Sequence, residues 1–401
     1  MRKTDWEPDK VSRIAAACLA LLPLVSPCAA LQLQAAKNIP QLEDSVRRDS
    51  NDAQLRYHLA VAYWSRERYD DAGRQLRSAV TIERRFAGAY LALSYLPYAR
   101  RHQLFKEEAK GRVPPEWRDS LVEADHDRRL AFLINPFVDL EILGAVVPMQ
   151  EQALAIRGHN VVVLLDPFAA FVRGDYGAAY TIFNARVQER YPGAQRDSVP
   201  AALLWFRGLA AGHVAVYDTA IADFRALLAS SVTAETTSTA VSPIPLRTND
   251  FRYILATILY RAHRFPEAIA LYKEALGNDV GLFMAHVQMG RIYEELKEWP
   301  DAVEHFRSAV ATSPDDPSLL LDLGIVLREA GNLAASDSTL TAAMAANPRD
   351  SRVLYHLGIT LQEEGKVPAA QDIFMRFLAM APARYERQLT DVRQRLATME
   401  H

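Results

Sequence analysis

The chain has 401 residues, of which 50% are hydrophobic and 24% are charged, and its formal net charge is −3. This composition is typical of a folded protein rather than a disordered one. A mildly acidic chain offers no general electrostatic attraction for nucleic acid or for an anionic membrane surface. We therefore predict no nucleic-acid partner, and a membrane contact only if the N-terminal segment is retained as an anchor.

Residues 1–30 have the three-part layout of a secretory signal peptide. Basic residues precede an apolar run from Ile14 to Val25, and small residues follow up to Ala30, after which cleavage is expected. The layout predicts export to the periplasm or cell envelope. A membrane anchor is one alternative, because no charge occurs from Ile14 to Ala36, which is long enough to span a bilayer. A lipidated protein and a cytoplasmic protein are the others.

Both cysteines of the chain, Cys18 and Cys28, lie in this first segment. If the segment is cleaved after Ala30, the mature protein contains no cysteine. Disulfides, thiol catalysis and thiolate metal sites would then be excluded.

A pattern of 34 residues runs three times without a gap from Phe283 to Arg384. The repeated positions are a glycine (Gly290, Gly324, Gly358), a small residue twelve positions later (Ala302, Ser336, Ala370), a bulky apolar residue four further on (Phe306, Leu340, Phe374) and a closing proline (Pro314, Pro348, Pro382). Apolar spacings of three and four place the other large residues on one helical face. The period and these positions resemble the tetratricopeptide repeat, a helix-turn-helix unit.

The resemblance implies an all-α protein, a right-handed α-solenoid of helix pairs. Small residues at the glycine and alanine positions let two helix axes approach closely, and the bulky residues fill the space beside them. Weaker copies of the pattern cover most of the chain, with core aromatic residues predicted at Phe183, Phe224 and Tyr272. We expect about eight units.

The signal-like layout and the repeats together predict the order of segments along the chain. The segments are a signal peptide at 1–30, a lead-in at 31–52, an N-terminal repeat block at 53–229, a linker at 230–248, a block of four contiguous repeats at 249–384 and a capping helix at 385–401. An irregular insertion at about 98–160 follows the second repeat. The first helix of that repeat is expected to break at Pro97, and its second helix to resume near Trp117.

The sequence contains no phosphate-binding glycine loop, no zinc-protease motif and no nucleophile elbow, so we predict no catalytic residue, no cofactor and no metal. Glu123 and His126 have a spacing that could ligate iron, but no second pair faces them, and an exposed helix surface is the better interpretation. Four histidines scattered over the repeats are predicted to have packing or surface roles. They are His58, His286, His305 and His356.

We predict a scaffold for protein–protein interaction, because the resemblance implies that first helices line a concave groove that holds a protein or peptide partner. The predicted groove residues are Tyr253, Thr257, Tyr260, Arg261, Gln288, Arg291, Glu295, Asp322, Arg328, Tyr355, His356 and Gln362. Tyr and Arg are frequent energetic anchors at interfaces. The alternative is an enzyme, or an accessory subunit of one, with a site in the irregular region 99–160 near His126, Asp139 and His159.

Overall fold

The structure is a computed structural model that describes residues 39–100, 114–138, 170–171, 174–193, 198–233 and 247–399. Across these ranges the chain forms seventeen α-helices and one short 3₁₀ helix, with no strand. The predicted all-α solenoid is confirmed. The signal peptide predicted at 1–30 and the segment with Asp139 and His159 lie outside the described residues.

The helices, numbered in chain order, are α1 (Ile39–Arg48), α2 (Ala53–Trp64), α3 (Tyr69–Ile82), α4 (Ala87–Arg100), α5 (Arg118–Ile134), α6 (Tyr176–Arg190), α7 (Ala201–His213), α8 (Tyr217–Thr233), α9 (Thr248–Arg261), α10 (Phe265–Asn278), α11 (Phe283–Glu295), α12 (Trp299–Thr312), α13 (Pro317–Glu329), α14 (Leu333–Ala346), α15 (Ser351–Glu363), α16 (Val367–Met380) and α17 (Glu386–Met399). From α7 to α16, successive helices pair as the first and second helix of one unit. The pairs α2–α3 and α4–α5 form earlier units, and α17 packs on α16 at the C-terminal end.

Two devices recur at the helix starts. Asp52, Asp316 and Asp350 precede first helices, and each side chain accepts a backbone N–H of the first turn at 2.8 to 3.1 Å. These bonds satisfy N–H groups that have no partner within the helix. Several second helices, and the first helix α13, carry a proline in the first turn, where its missing N–H costs nothing.

The turn between the two helices of a unit requires one residue in the left-handed conformation. It recurs every 34 residues at His263, Lys297, Gly331 and Gly365, with φ of 55°, 59°, 77° and 78°. Glycine adopts this conformation freely, whereas His263 and Lys297 adopt it at a cost of about 1 kcal/mol. The turn geometry is therefore imposed by the packing of the unit rather than by the local residue.

The repeated sequence positions form the contact between the two helices. The small residues (Ala302, Ser336, Ala370) and the bulky residues (Phe183, Phe224, Tyr272, Phe306, Leu340, Phe374) predicted for the core are all at most 1% exposed. At Gly358, an added Cβ atom would lie 2.4 Å from the ring of Phe374. Contact at this distance confirms that the glycine sets how closely the helices approach.

One local prediction was wrong. Helix α4 does not break at Pro97 but continues to Arg100, because Leu96 and Tyr98 in its last turns are buried in the core, which offsets the missing N–H bond. Helix α8 extends to Thr233, and Ser231 bonds back to the carbonyl of Leu228 at 2.8 Å. The predicted domain boundaries, including the linker at 230–248, stay predictions.

We expect Gly358→Ala to lower the free energy of unfolding by about 1–3 kcal/mol, because the new methyl group would overlap the ring of Phe374. The matched control is Gly277→Ala in α10, where a Cβ meets no atom within 4 Å. That change should be neutral or should stabilise by less than about 1 kcal/mol. Urea denaturation of both variants checks the prediction, and equal effects at the two sites would contradict it.

Candidate functional site

The first helices of the last four units, α9, α11, α13 and α15, carry all twelve predicted groove residues. We call the row of polar side chains along these helices the trough. Its covered half, with Tyr253, Gln288 and Asp322, contacts the N-terminal units of the same chain directly or through a neighbour. Its open half lies toward the C-terminal ends of the helices and comprises Tyr260, Arg291, Glu294, Glu295 and Arg328.

The C-terminal end of α5 covers the trough at α9 and α11. The hydroxyl of Tyr253, which is 0% exposed, donates to the carbonyl oxygen of Leu133 at 2.6 Å. The side chain of Gln288 donates to the same hydroxyl at 3.3 Å and is 3% exposed. Burial raises the pKa of Tyr253 to about 12. In this arrangement Tyr253 contacts α5 and Gln288 contacts Tyr253, so both side chains are buried inside the chain. That they face a partner stays a prediction.

Two further contacts hold α5 against the same helices. The guanidinium of Arg129 bonds to Asp250 and Asp279, both at 2.9 Å. Arg261, another predicted groove residue, lies 4.1 Å from the ring centre of Phe137 and donates to Asn135 at 3.2 Å. The segment that ends α5 therefore uses part of the surface predicted for a partner.

Two predicted groove residues point elsewhere or are enclosed. The hydroxyl of Thr257 shares a 2.9 Å hydrogen bond with the hydroxyl of Tyr272 on α10, so Thr257 packs inside its own unit. Burial, together with Arg328 and Arg352, lowers the pKa of His356 to about 4, and the imidazole is neutral at pH 7. Its Nδ1 atom has no hydrogen-bond partner among the described residues.

The turn after α3 covers the trough at α13. The guanidinium of Arg85, which is 12% exposed, contacts the carboxylate of Asp322 at 2.5 Å and the carbonyl oxygen of Ser318 at 3.1 Å. Burial would raise the pKa of Asp322, but Arg85 lowers it below its ordinary value. Asp322 is thus an ionised acceptor that the chain's own arginine occupies.

A set of polar contacts, which we call the clasp, joins the end of α3 and the turns before α2 and α4 to α13, to the start of α15 and to the turns before α15 and α17. Besides Arg85 with Asp322, it comprises Asn347 with the carbonyls of Thr81 and Ile82, Arg349 with Ser50 and Asn51, Arg352 with Glu83, Arg384 with Asp52 and Glu83, and the Ala383 N–H with Asp49. The clasp brings the first described units into contact with the last two. Every contact in it is a hydrogen bond or an ion pair.

Polar bonds connect neighbouring first helices along the open half. Tyr260 donates to Glu295 at 2.6 Å, between α9 and α11, and Arg328 donates to Glu363 at 3.2 Å, between α13 and α15. The capping helix continues the series, since Arg395 donates to Gln362 at 2.7 Å. In the part of the chain that the structure describes, no such bond connects α11 to α13.

Arg291 and Glu294 lie at this break. Within the described ranges, neither side chain has a hydrogen-bond or ion-pair partner, although both are only partly exposed. Burial and the neighbouring Asp322 raise the pKa of Glu294 to about 7, and Arg291 acts in the opposite direction. The open half thus contains a guanidinium and a carboxyl group that form no hydrogen bond or ion pair within the described residues.

Tyr355 lies at the C-terminal end of the trough, against the capping helix. Its hydroxyl donates to Asp391 at 3.0 Å, and its ring lies 5.6 Å from that of Phe377. The residue is half-buried.

Sequence reasoning missed Arg85 and Glu83, which hold the clasp together. Both stand in a turn between two units, where charged residues are common. No spacing rule connects them to α13 or α15, more than 230 positions away along the chain. The repeat pattern could not indicate these contacts, because they depend on how the whole solenoid curves.

The other candidate sites carry no recognised chemistry. Glu123 and His126 are exposed on α5, as predicted for a solvated face. His286 and His305 form a pair with their Nδ1 atoms 3.2 Å apart, and burial lowers the pKa of both. The described residues contain no group of three or more potential metal ligands, and no helix among them is both long and apolar enough to cross a bilayer.

Stacked helix pairs with a row of polar side chains along their first helices define a helical-repeat scaffold for protein interaction. Models of the tetratricopeptide repeat match residues 39–89, 207–283, 255–317 and 293–353. The chain contains tetratricopeptide repeats, a kind of repeat that is generally found in scaffold proteins and not in enzymes. No curated protein matches the sequence.

Several solved structures are similar in fold. The C-terminal part of a repeat-containing protein from Cytophaga hutchinsonii is 14% identical, with 58% of this chain and 86% of that one covered and a TM-score of 0.45. A tetratricopeptide repeat protein from Parabacteroides merdae is 11% identical, with 77% and 99% covered and a TM-score of 0.40. YrrB, described as having an unusual peptide-binding site, is 21% identical, with 35% and 74% covered and a TM-score of 0.31.

We expect Glu294→Gln to stabilise the protein above about pH 7 but not at pH 4. The folded chain keeps this proton up to about pH 7, whereas a carboxyl in the unfolded chain, with its pKa near 4.5, has released it. Stability is therefore lost as the pH rises through this window. Allowing for partial exposure, the gain at pH 8 should be about 1–2 kcal/mol.

Urea denaturation at pH 4 and pH 8 measures this difference. The control is Glu304→Gln on α12, which removes an exposed carboxylate from the same unit. A Glu294→Gln variant with the same pH profile as the control would contradict the prediction.

Proposed function

We propose that the chain is a scaffold that holds a protein partner in the open half of its trough, and that it works in the periplasm or cell envelope. One observation supports this position for the binding site. The bonds between neighbouring first helices are interrupted only between α11 and α13 in the described open half, and Arg291 and Glu294 lie at that position without partners.

Unmatched charges in a partly buried surface favour a partner that supplies the complementary groups. A carboxylate of the partner would pair with Arg291, and a hydrogen-bond donor would face Glu294. Arg328 and Tyr260 flank the break on either side, and both residue types are frequent anchors at interfaces. An extended peptide or an amphipathic helix fits such a row of side chains.

Charge reversal at Arg291 tests the site. We expect Arg291→Glu to reduce capture of the native partner by about tenfold or more, on the order of 1.4 kcal/mol. The matched control is Arg307→Glu, which makes the same charge change at an exposed position on the second helix of the same unit.

The measurement is quantitative affinity purification from the native host with the wild type and both variants. A partner retained by the wild type and by Arg307→Glu, but lost with Arg291→Glu at unchanged helical content, supports the proposal. Equal capture by all three proteins would contradict a binding site at the break between α11 and α13.

The proposed location rests on the signal-like layout of residues 1–30. Export with cleavage predicts that the mature protein begins at Leu31. Mass spectrometry of the N-terminus of protein isolated from its host checks this, and an intact Met1 on membrane-free protein would overturn the proposed export.

A further inference from the structure

The end of α3 and the turn that follows it lie against the trough. Thr81 and Ile82 are the last residues of α3, Glu83 follows the helix with φ −123° and ψ 92°, and the Phe86 N–H donates to the Glu83 carbonyl at 3.2 Å. The amide of Asn347 donates to the carbonyls of Thr81 and Ile82, at 3.4 and 3.2 Å, and so contacts carbonyl groups at the C-terminal end of the helix. These contacts involve main-chain atoms of the segment and no side chain of Thr81 or Ile82.

Side-chain contacts add selectivity to this main-chain contact. The Glu83 carboxylate lies 3.4 Å from Arg384 and 3.9 Å from Arg352. Two residues later, the Arg85 guanidinium reaches Asp322 at 2.5 Å and the Ser318 carbonyl at 3.1 Å. The trough thus offers a basic position and an acidic position, spaced for a carboxylate and an arginine two residues apart.

Arginine suits the acidic position better than lysine does. One nitrogen of the planar guanidinium meets the Asp322 carboxylate while another meets the Ser318 carbonyl, and a single ammonium group does not reproduce that fork. The pair is largely buried, with 12% of the Arg85 side chain and 17% of the Asp322 side chain exposed. An Asp322 without its partner would be a desolvated charge, which favours refilling the position with another cation.

The contact is also of a kind that a competitor can displace. The clasp consists of hydrogen bonds and ion pairs, whereas the contacts inside each unit bury alanine, leucine and phenylalanine side chains. Polar interfaces of this kind within a chain resemble transient protein–protein interfaces and permit relative motion.

We propose that α13, α15 and the turn before α17 form a peptide site for a partner segment with a glutamate followed two residues later by an arginine, and that the turn Thr81–Arg85 is its built-in occupant. The inference rests on the proposed function, namely that the trough receives a protein partner. It adds the chemistry of that partner and a contact that limits access to it.

The test uses the full chain and a labelled synthetic peptide with the sequence of residues 79–88, followed by fluorescence anisotropy. Arg85→Ala empties the position and should bind the peptide at least tenfold more tightly than the wild type does. The matched control is Arg84→Ala, which removes the same charge from the same turn at an exposed position and should bind no better than the wild type.

Adding Asp322→Asn to Arg85→Ala should abolish the gain, as should alanine in place of the second arginine of the peptide. Should Arg85→Ala lose helical content by circular dichroism, Arg85→Gln replaces it, because glutamine can still donate to the Ser318 carbonyl. Peptide binding that is equal in wild type, Arg84→Ala and Arg85→Ala, absent from all, or independent of Asp322 would overturn the proposal.

Two outcomes separate this inference from the proposed function. Binding that depends on Asp322 but is unchanged by Arg291→Glu supports the peptide site even if the break in the open half proves unimportant. Concentration-dependent dimers of the wild type, with no peptide binding by Arg85→Ala, would make a second copy of the chain the occupant and overturn the assignment to a partner peptide.

Discussion

The solenoid depends on a close helix crossing that requires a small residue on the first helix of each unit. At Gly358 the backbone of the first helix meets the ring of Phe374 on the second, and Gly324 meets Leu340 in the same way one unit earlier. Close packing makes these glycine contacts intolerant of an added methyl group. Ala60, Ser94 and Ala256 hold the same position in other units, so each unit keeps a small residue there, and the first helices follow one another with their outward side chains in a row.

Two kinds of interaction act at different levels of this architecture. Inside and between neighbouring units, buried apolar side chains hold the helices in register, with polar bonds such as Tyr260–Glu295 and Arg328–Glu363 beside them. Between the first and last units, the clasp consists of hydrogen bonds and ion pairs, with Arg85 and Asp322 as its most buried ion pair. Partial removal of charges from water offsets much of what an ion pair contributes, so the clasp adds specificity more than stability. The units are therefore expected to persist when the clasp opens.

The part of the structure that repeats could be predicted from the sequence. Gly290, Ala302 and Phe306 recur at fixed spacing, and local spacing decides which helical face is buried. The covered half could not be predicted in this way. Tyr253 has the right position for a groove residue, and nothing near it in the sequence indicates that Leu133 will accept its hydroxyl hydrogen. Contacts between distant units depend on the accumulated curvature of the solenoid, which small rotations at each unit determine.

Because neighbouring first helices are regularly spaced, the trough would contact a bound segment at regular intervals. Helices in contact lie roughly 8–10 Å apart, and an extended chain advances by about 3.3 Å per residue, so neighbouring first helices would meet side chains two to three residues apart in a bound segment. In the internal turn, side chains two positions apart, Glu83 and Arg85, also reach α15 and α13, although here a turn and not an extended strand presents them. A partner segment lying across four such helices would be contacted at one side chain per helix, and the side chains between these positions would be free to vary. Recognition of this kind tolerates substitution in the partner sequence but not insertion or deletion of a residue.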